Sequence, residues 1–365
     1  MSNVVAVDFK PRATTADDRA WRLSHSFARH RRFGEDVLWL KENAEFLNVL
    51  ETGPLDVSDD ALEVYDDFYA RAAERMAYFP QYYRFFLGMV LDLEALRGGG
   101  ETGLQLAEFA RDRDLVAAEL SDLQRAEARR LMLRRGIDPV KDPGLTDRLI
   151  VFASRPETFA LPNKKAAYEL THIVFYLSEY GRRAPDLPDA VRRSLENAGT
   201  LAALEMNADL LSEICVALRF GGWTPPAGWE DWLARFVAAS RVLPQDGTPV
   251  ADGYHPYLVT QWHAGLTGGA QFGGEIGEGA VDFLVPGPSV HALREVSQAL
   301  MHDPARTGDW EVMQRRLDGA LSHDAGLHLA HVAETSPDFA AFFDVFARAL
   351  PWGAVPSGLD SGFGA

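Results

Sequence analysis

The chain has one cysteine, Cys215, among 365 residues. A lone thiol cannot close an internal disulfide, so nothing calls for an oxidising compartment. Positive charge is scarce as well: 36 lysines and arginines stand against 53 aspartates and glutamates, a formal net charge of −17. Most of such a surface repels nucleic-acid phosphates and anionic lipid, and only a local patch such as Arg29 to Arg32 (RHRR) runs the other way. Long apolar runs are missing: the longest, around Phe85 to Leu91, is far too short to span a bilayer. The opening MSNVVAVDFKPRATTADD has no basic head followed by an apolar segment. The expectation is a cytoplasmic protein without a nucleic-acid or membrane partner.

Familiar catalytic signatures are absent too. The paired aspartates Asp59/Asp60 and Asp66/Asp67 match neither DDxxD nor DxDD, and no GxxxxGK[ST] or GxSxG occurs. The glycines from Gly273 to Gly279 do not lead from a strand into a helix, so they give no support to a nucleotide site.

What is present is a core-forming chain, 47% hydrophobic, with apolar residues at helical spacing almost throughout. Thr15, Asp17 and Asp18 offer N-caps for a helix through Trp21 and Phe27, and EDVLWLKENAEFLNVLE stops at Gly53 and Pro54. The aromatic stretch PQYYRFFLGMVLDLEALRGGG reads as a helix buried on several sides. The expected fold is all-α, an irregular array of antiparallel helical hairpins compatible with an α/α toroid or a curved array. One long Gly-rich loop is expected near residues 266–287, with AVDFLV its only strand-like run. The glycines Gly98 to Gly103 suggest a boundary between an N-terminal helical subdomain (1–97) and a main domain (104–350), followed by a disordered tail (351–365).

Three stretches carry the candidate chemistry. In NKKAAYELTHIVFYLSEYGRR, expected to stay helical to Gly181, Tyr168, Glu169, His172, Phe175, Tyr176 and Glu179 share a polar and aromatic face, the composition of a pocket wall. The second, Thr200 to Phe220, is expected to follow a break near Gly199 and carries Glu205, Asp209, Ser212 and Glu213 beside its apolar stripe. The third is YHPYLVTQWHAGL. The expected site joins His172, Asp209 and His255, assisted by Glu169 and Tyr176. Two imidazoles and a carboxylate are a ligand set for a divalent metal such as zinc or iron. Without metal, a histidine serves as general base or acid, tuned by Glu169, Glu205 or Asp209. The bland reading, hydrogen-bonded core histidines, fits the same residues. His323, His328 and His331 with Glu334 form a lesser cation candidate, and Cys215 on the stripe with Leu211 and Leu218 reads as a small buried hydrophobe.

At YELTHIVFYLSEYG and YHPYLV the chain resembles an uncharacterised bacterial family of helical proteins, marked by a Leu-Thr-His-x-x-Phe-Tyr segment and a later Tyr-His-x-x-Leu-Val segment. The resemblance covers the last two thirds of the chain and falls on Leu170, Thr171, His172, Phe175, Tyr176, Gly181, Tyr254 and His255. Glu179-Tyr180-Gly181 departs from the family's Asp-x-Gly. It implies no activity. The leading functional reading is an enzyme that modifies a small molecule or peptide by histidine-mediated or metal-assisted chemistry. The alternative is a non-catalytic helical adaptor that binds a partner peptide or protein.

Overall fold

A computed structural model describes residues 15–32, 36–245 and 252–349. The expected tail (351–365) lies outside the described residues, as do residues 1–14, 33–35, 246–251 and 350. The protein is all-α, and among the described residues it has one small antiparallel sheet, in which Arg241–Pro244 pairs with Val281–Leu284 in the register Val242 to Phe283. No helix among the described residues is long and apolar enough to cross a membrane.

The chain divides into two compact units. The first contains residues up to Leu115 together with Arg134–Ile137 and Ser240–Val285. Its opening helix, Ala16–Arg29, takes Thr15 of the three offered caps as its N-cap, and there Thr15 and Asp18 form a reciprocal capping box. Helix Val37–Thr52 is capped by Asp36 and packs on Tyr83–Leu96, whose buried residues include Tyr83, Phe86, Leu87, Met89 and Val90. Burial on several faces is why that stretch is aromatic. The AVDFLV run does form a strand, and its Phe283 lies 5.6 Å from Phe27 and 4.9 Å from Tyr257. The Gly98 to Gly103 run is inside this unit.

Buried acids organise the first unit. Glu42, 2% exposed, accepts from Arg31 Nε at 2.8 Å and from Arg32 Nε at 2.6 Å. The Arg31 guanidinium also lies 4.8 Å from the Tyr254 ring and 5.1 Å from those of Phe27 and Phe283, so one side chain joins the ion pair to the aromatic core. Glu94, also 2% exposed, accepts from the Gly103 amide at 2.8 Å, from the Tyr69 hydroxyl at 2.7 Å and from Arg135. A Cβ on Gly103 would stand 2.5 Å from the Glu94 carboxylate, which is why glycine is required there. Burial raises the Glu94 pKa, but these three donors outweigh it and hold the group below the ordinary glutamate value.

The second unit comprises Val116–Leu133, Asp138–Ala239 and the residues from Pro286 onward. Helix Lys164–Leu177 lies at its centre, packed against Asp122–Leu133, Leu145–Ala153 and Ala208–Phe220. Helix Asp189–Leu204 packs on Ala208–Phe220 and on His323–Thr335.

Two predictions follow from the acids. Arg31→Ala strips one guanidinium from buried Glu42 and should cost about 3–5 kcal/mol, read as a lower denaturation midpoint; a loss below about 1 kcal/mol would show the pair to be dispensable. Because the folded-state pKa of Glu94 is depressed, its contribution is fully present above the ordinary value of 4.5 and is lost as pH falls through the lower folded-state value. The stability gap between wild type and Glu94→Gln should therefore be constant near neutrality and close below about pH 4; a gap independent of pH contradicts the assignment.

Candidate functional site

The central helix starts where the Asn163 side chain accepts from Ala166 N at 3.2 Å. It ends at Leu177, a turn earlier than the sequence suggests. Glu179, Tyr180 and Gly181 follow in left-handed conformation, with φ of 51°, 53° and 81°. Local bonds take over from the helix: Ser178 Oγ donates to Phe175 O at 3.2 Å and accepts from Gly181 N at 3.2 Å, while Tyr180 N returns to Phe175 O at 2.8 Å. Glu179 thereby leaves the helical face on which the periodicity put it. Gly181 is doubly required, since a Cβ there would also lie 2.6 Å from the Phe220 ring.

The facing segment also departs from expectation. The chain does not break near Gly199; helix Asp189–Leu204 runs through it, and the break comes at Met206, with φ of 55°. Gly199 serves close packing instead, because a Cβ would meet the Trp229 ring at 2.3 Å. Asn207 then caps a new helix by accepting from Leu210 N at 3.2 Å. Asp209 consequently stands in the first turn of Ala208–Phe220, where amide dipoles favour a carboxylate. Glu205 stays outside that helix and pairs with Lys164 at 2.9 Å.

Between the two helices, four side chains meet in pairs. The Tyr168 hydroxyl donates to Asp209 Oδ2 at 2.8 Å. Thr171 Oγ1 donates to Glu213 Oε2 at 2.6 Å, and Glu213 is only 3% exposed. The spacing explains the match: Tyr168 and Thr171 lie three apart on one helix, Asp209 and Glu213 four apart on the other, so each pair shares a face. Burial and then the Asp209 charge push the Tyr168 phenol well above its ordinary pKa, which keeps it an O–H donor.

His172 lies beside these pairs. Its Nδ1 is 2.7 Å from the Tyr168 carbonyl and 3.8 Å from Glu213 Oε2. A carbonyl only accepts, so Nδ1 carries the proton in the neutral ring and Nε2 holds the lone pair. This bond alone is a local habit of helices: His25 reaches Trp21 O at 2.9 Å and His302 reaches Gln298 O at 2.8 Å in the same way. What distinguishes His172 is the buried carboxylate beside it. The imidazole is 35% exposed, and the buried Tyr176 ring meets it edge-on at 5.8 Å.

Of the predicted site residues, His172, Asp209 and Tyr176 belong to the second unit, where Tyr176 lies beside His172 and Asp209 pairs with Tyr168. Glu169 is half-exposed with Lys165 3.9 Å away, and it joins none of the described hydrogen bonds of the cluster. His255 belongs to the first unit, as the second residue of helix Tyr254–Leu266, with its ring edge-on to Tyr254 at 6.1 Å. The sequence places Glu213 on the polar stripe but does not single it out; its spacing of one helical turn from Asp209 is the signal that could have done so. Within this unit His172, Asp209 and Glu213 are donors of the type that holds a divalent cation.

The lesser candidates resolve as structure. His328 bonds the Ala203 carbonyl at 2.9 Å, and burial lowers its pKa, while His323 and His331 are exposed. Cys215 is buried, and burial raises its thiol well above the ordinary value, as expected for an inert core residue.

In comparison with known proteins, the family model described as "Domain of unknown function (DUF6902)" matches residues 1–349. No curated protein and no solved structure matches the chain.

Each paired bond can be weighed. A double-mutant cycle of Tyr168→Phe with Asp209→Asn should give a coupling of about 1–3 kcal/mol, and Thr171→Val should cost about 1.5–3 kcal/mol by removing the bond to a buried carboxylate. Coupling within about 0.3 kcal/mol of zero would mean that the hydroxyl and carboxylate do not interact in solution.

Proposed function

The chain belongs to this family of unknown function, which brings no chemistry with it, and we propose from the site itself that it is a cytoplasmic enzyme that modifies a small molecule or peptide. His172 transfers a proton through Nε2. One observation carries this reading: a part-exposed imidazole with Nδ1 committed to the Tyr168 carbonyl stands 3.8 Å from Glu213, a buried carboxylate held by Thr171. The carbonyl fixes the tautomer, and the carboxylate stabilises the imidazolium that forms when Nε2 takes a proton. Asp209, held by Tyr168, adds negative potential at the same helix pair, and Tyr176 supplies an aromatic wall. In a metal-assisted version His172, Asp209 and Glu213 are the ligands this unit offers to a cation such as zinc or iron. Elemental analysis of wild type beside His172→Ala separates the two versions.

The test pairs turnover with stability. Purified protein and His172→Gln are incubated with fractionated small-molecule and peptide extracts, and consumption and products are followed by mass spectrometry. The account predicts turnover that falls at least about 100-fold in the variant. The thermal midpoint should stay within about 2 °C of wild type, as for a substitution outside the packed core. Turnover unaffected by the substitution removes His172 from the chemistry. A variant that unfolds easily, with no turnover in either protein, favours the non-catalytic adaptor.

A further inference from the structure

A cavity of about 240 Å³ lies against the C-terminal half of the central helix, and Arg129, Arg130, Arg183, Tyr176 and Glu179 are among its lining residues. In a chain of net charge −17 three arginines around one cavity is an unusual placement. Two of them are engaged. Arg129 grips Asp138 with Nε at 3.0 Å and Nη2 at 2.6 Å, and Arg183 Nε donates to Leu177 O at 2.8 Å with its Nη2 3.9 Å from Glu179.

Arg130 differs. It is 5% exposed, yet its Nε and Nη1 are buried and no described residue, Glu179 included, accepts a hydrogen bond from them. Its guanidinium stacks over the Tyr180 ring at 4.5 Å and stands 5.9 Å from the Tyr176 ring. Stacking favours the cation through the face of the guanidinium plane, but it leaves the in-plane N–H groups without acceptors. Nη2, the one nitrogen not sealed in this way, is the donor left to reach a carboxylate or phosphate. A buried cation lacking acceptors is costly, and a negative charge in the adjoining cavity offsets that cost.

We propose that this cavity is a binding site for a small organic carboxylate, held by Arg130 with its apolar body against Leu145 and Leu149. Three features select a monoanion with an apolar body over a phosphate. Of the three guanidiniums only Arg130 has buried donors with no acceptor among the described residues, Glu179 contributes a negative charge to the same lining, and much of the remaining wall is aliphatic. The site is independent of proton transfer at His172, and its test does not use that activity.

The experiment is calorimetric titration of the full chain with benzoate, with its neutral analogue benzyl alcohol, and with inorganic phosphate at matched ionic strength. Benzoate should bind saturably at one site, benzyl alcohol at least about 10-fold more weakly, and phosphate no better than a chloride control. Arg130→Met should weaken benzoate at least about 10-fold while melting, without ligand, at or above the wild-type temperature, because an apolar side chain replaces a buried charge. Absence of benzoate binding, equal binding of benzyl alcohol, preference for phosphate, or wild-type affinity in Arg130→Met each overturns the proposal. Should the variant fail to fold, the benzoate and benzyl alcohol comparison on wild type still decides.

Discussion

The second unit turns on the hydrogen bond from Thr171 to Glu213. A carboxylate taken out of water must be met by donors, and at 3% exposure Glu213 gains little from solvent. Meeting it fixes the register of Lys164–Leu177 against Ala208–Phe220, because a one-residue rotation of either helix turns the hydroxyl away. Close approaches hold the neighbourhood in place: Gly181 lies under the Phe220 ring and Gly199 under Trp229, where a Cβ would collide at 2.6 Å and 2.3 Å. With that register set, the residue after Thr171 is an imidazole beside the same carboxylate.

The two units handle buried acid differently. In the first, Glu42 and Glu94 are met by arginines, permanent cations that make fixed ion pairs. Such pairs hold a fold and do no proton chemistry. In the second, Thr171 and His172 lie against Glu213, and an imidazole is the side chain that exchanges protons near neutral pH. The contrast is why the functional reading rests on the second unit. Arg130 reverses the pattern again, a buried cation in the lining of a cavity with two in-plane donors that no described residue accepts from.

Much of the fold was legible because helical periodicity and caps are local signals. Thr15 and Asp18 announce the first helix, and the all-round apolar stretch from Tyr83 to Leu96 is buried as its composition implies. The errors came from glycine. Gly199 looks like a helix breaker, yet it is a helical residue made small by Trp229 from a distant element. Gly181 marked the end of the central helix, but the helix stops at Leu177 because Ser178 captures the last carbonyls and Glu179 and Tyr180 tolerate left-handed backbone. The site was half legible. His172 and Asp209 stood out on helices with broad apolar stripes, and Glu213 lay one turn from Asp209 without being singled out, whereas Arg130 acquires meaning only from tertiary neighbours that no spacing in the chain reveals.

The most direct measurement of the central claim is the protonation state of the His172 ring, read by long-range nitrogen–proton correlation in protein carrying ¹⁵N-labelled histidine, with His172→Gln used for assignment. The account predicts that the neutral ring is the Nδ1–H tautomer, with Nε2 unprotonated and shifting when zinc is added or Glu213→Gln is introduced. An Nε2–H tautomer, or a ring whose signals ignore both zinc and the Glu213 substitution, would contradict it, because His172 would then have no open basic nitrogen under the influence of the buried carboxylate.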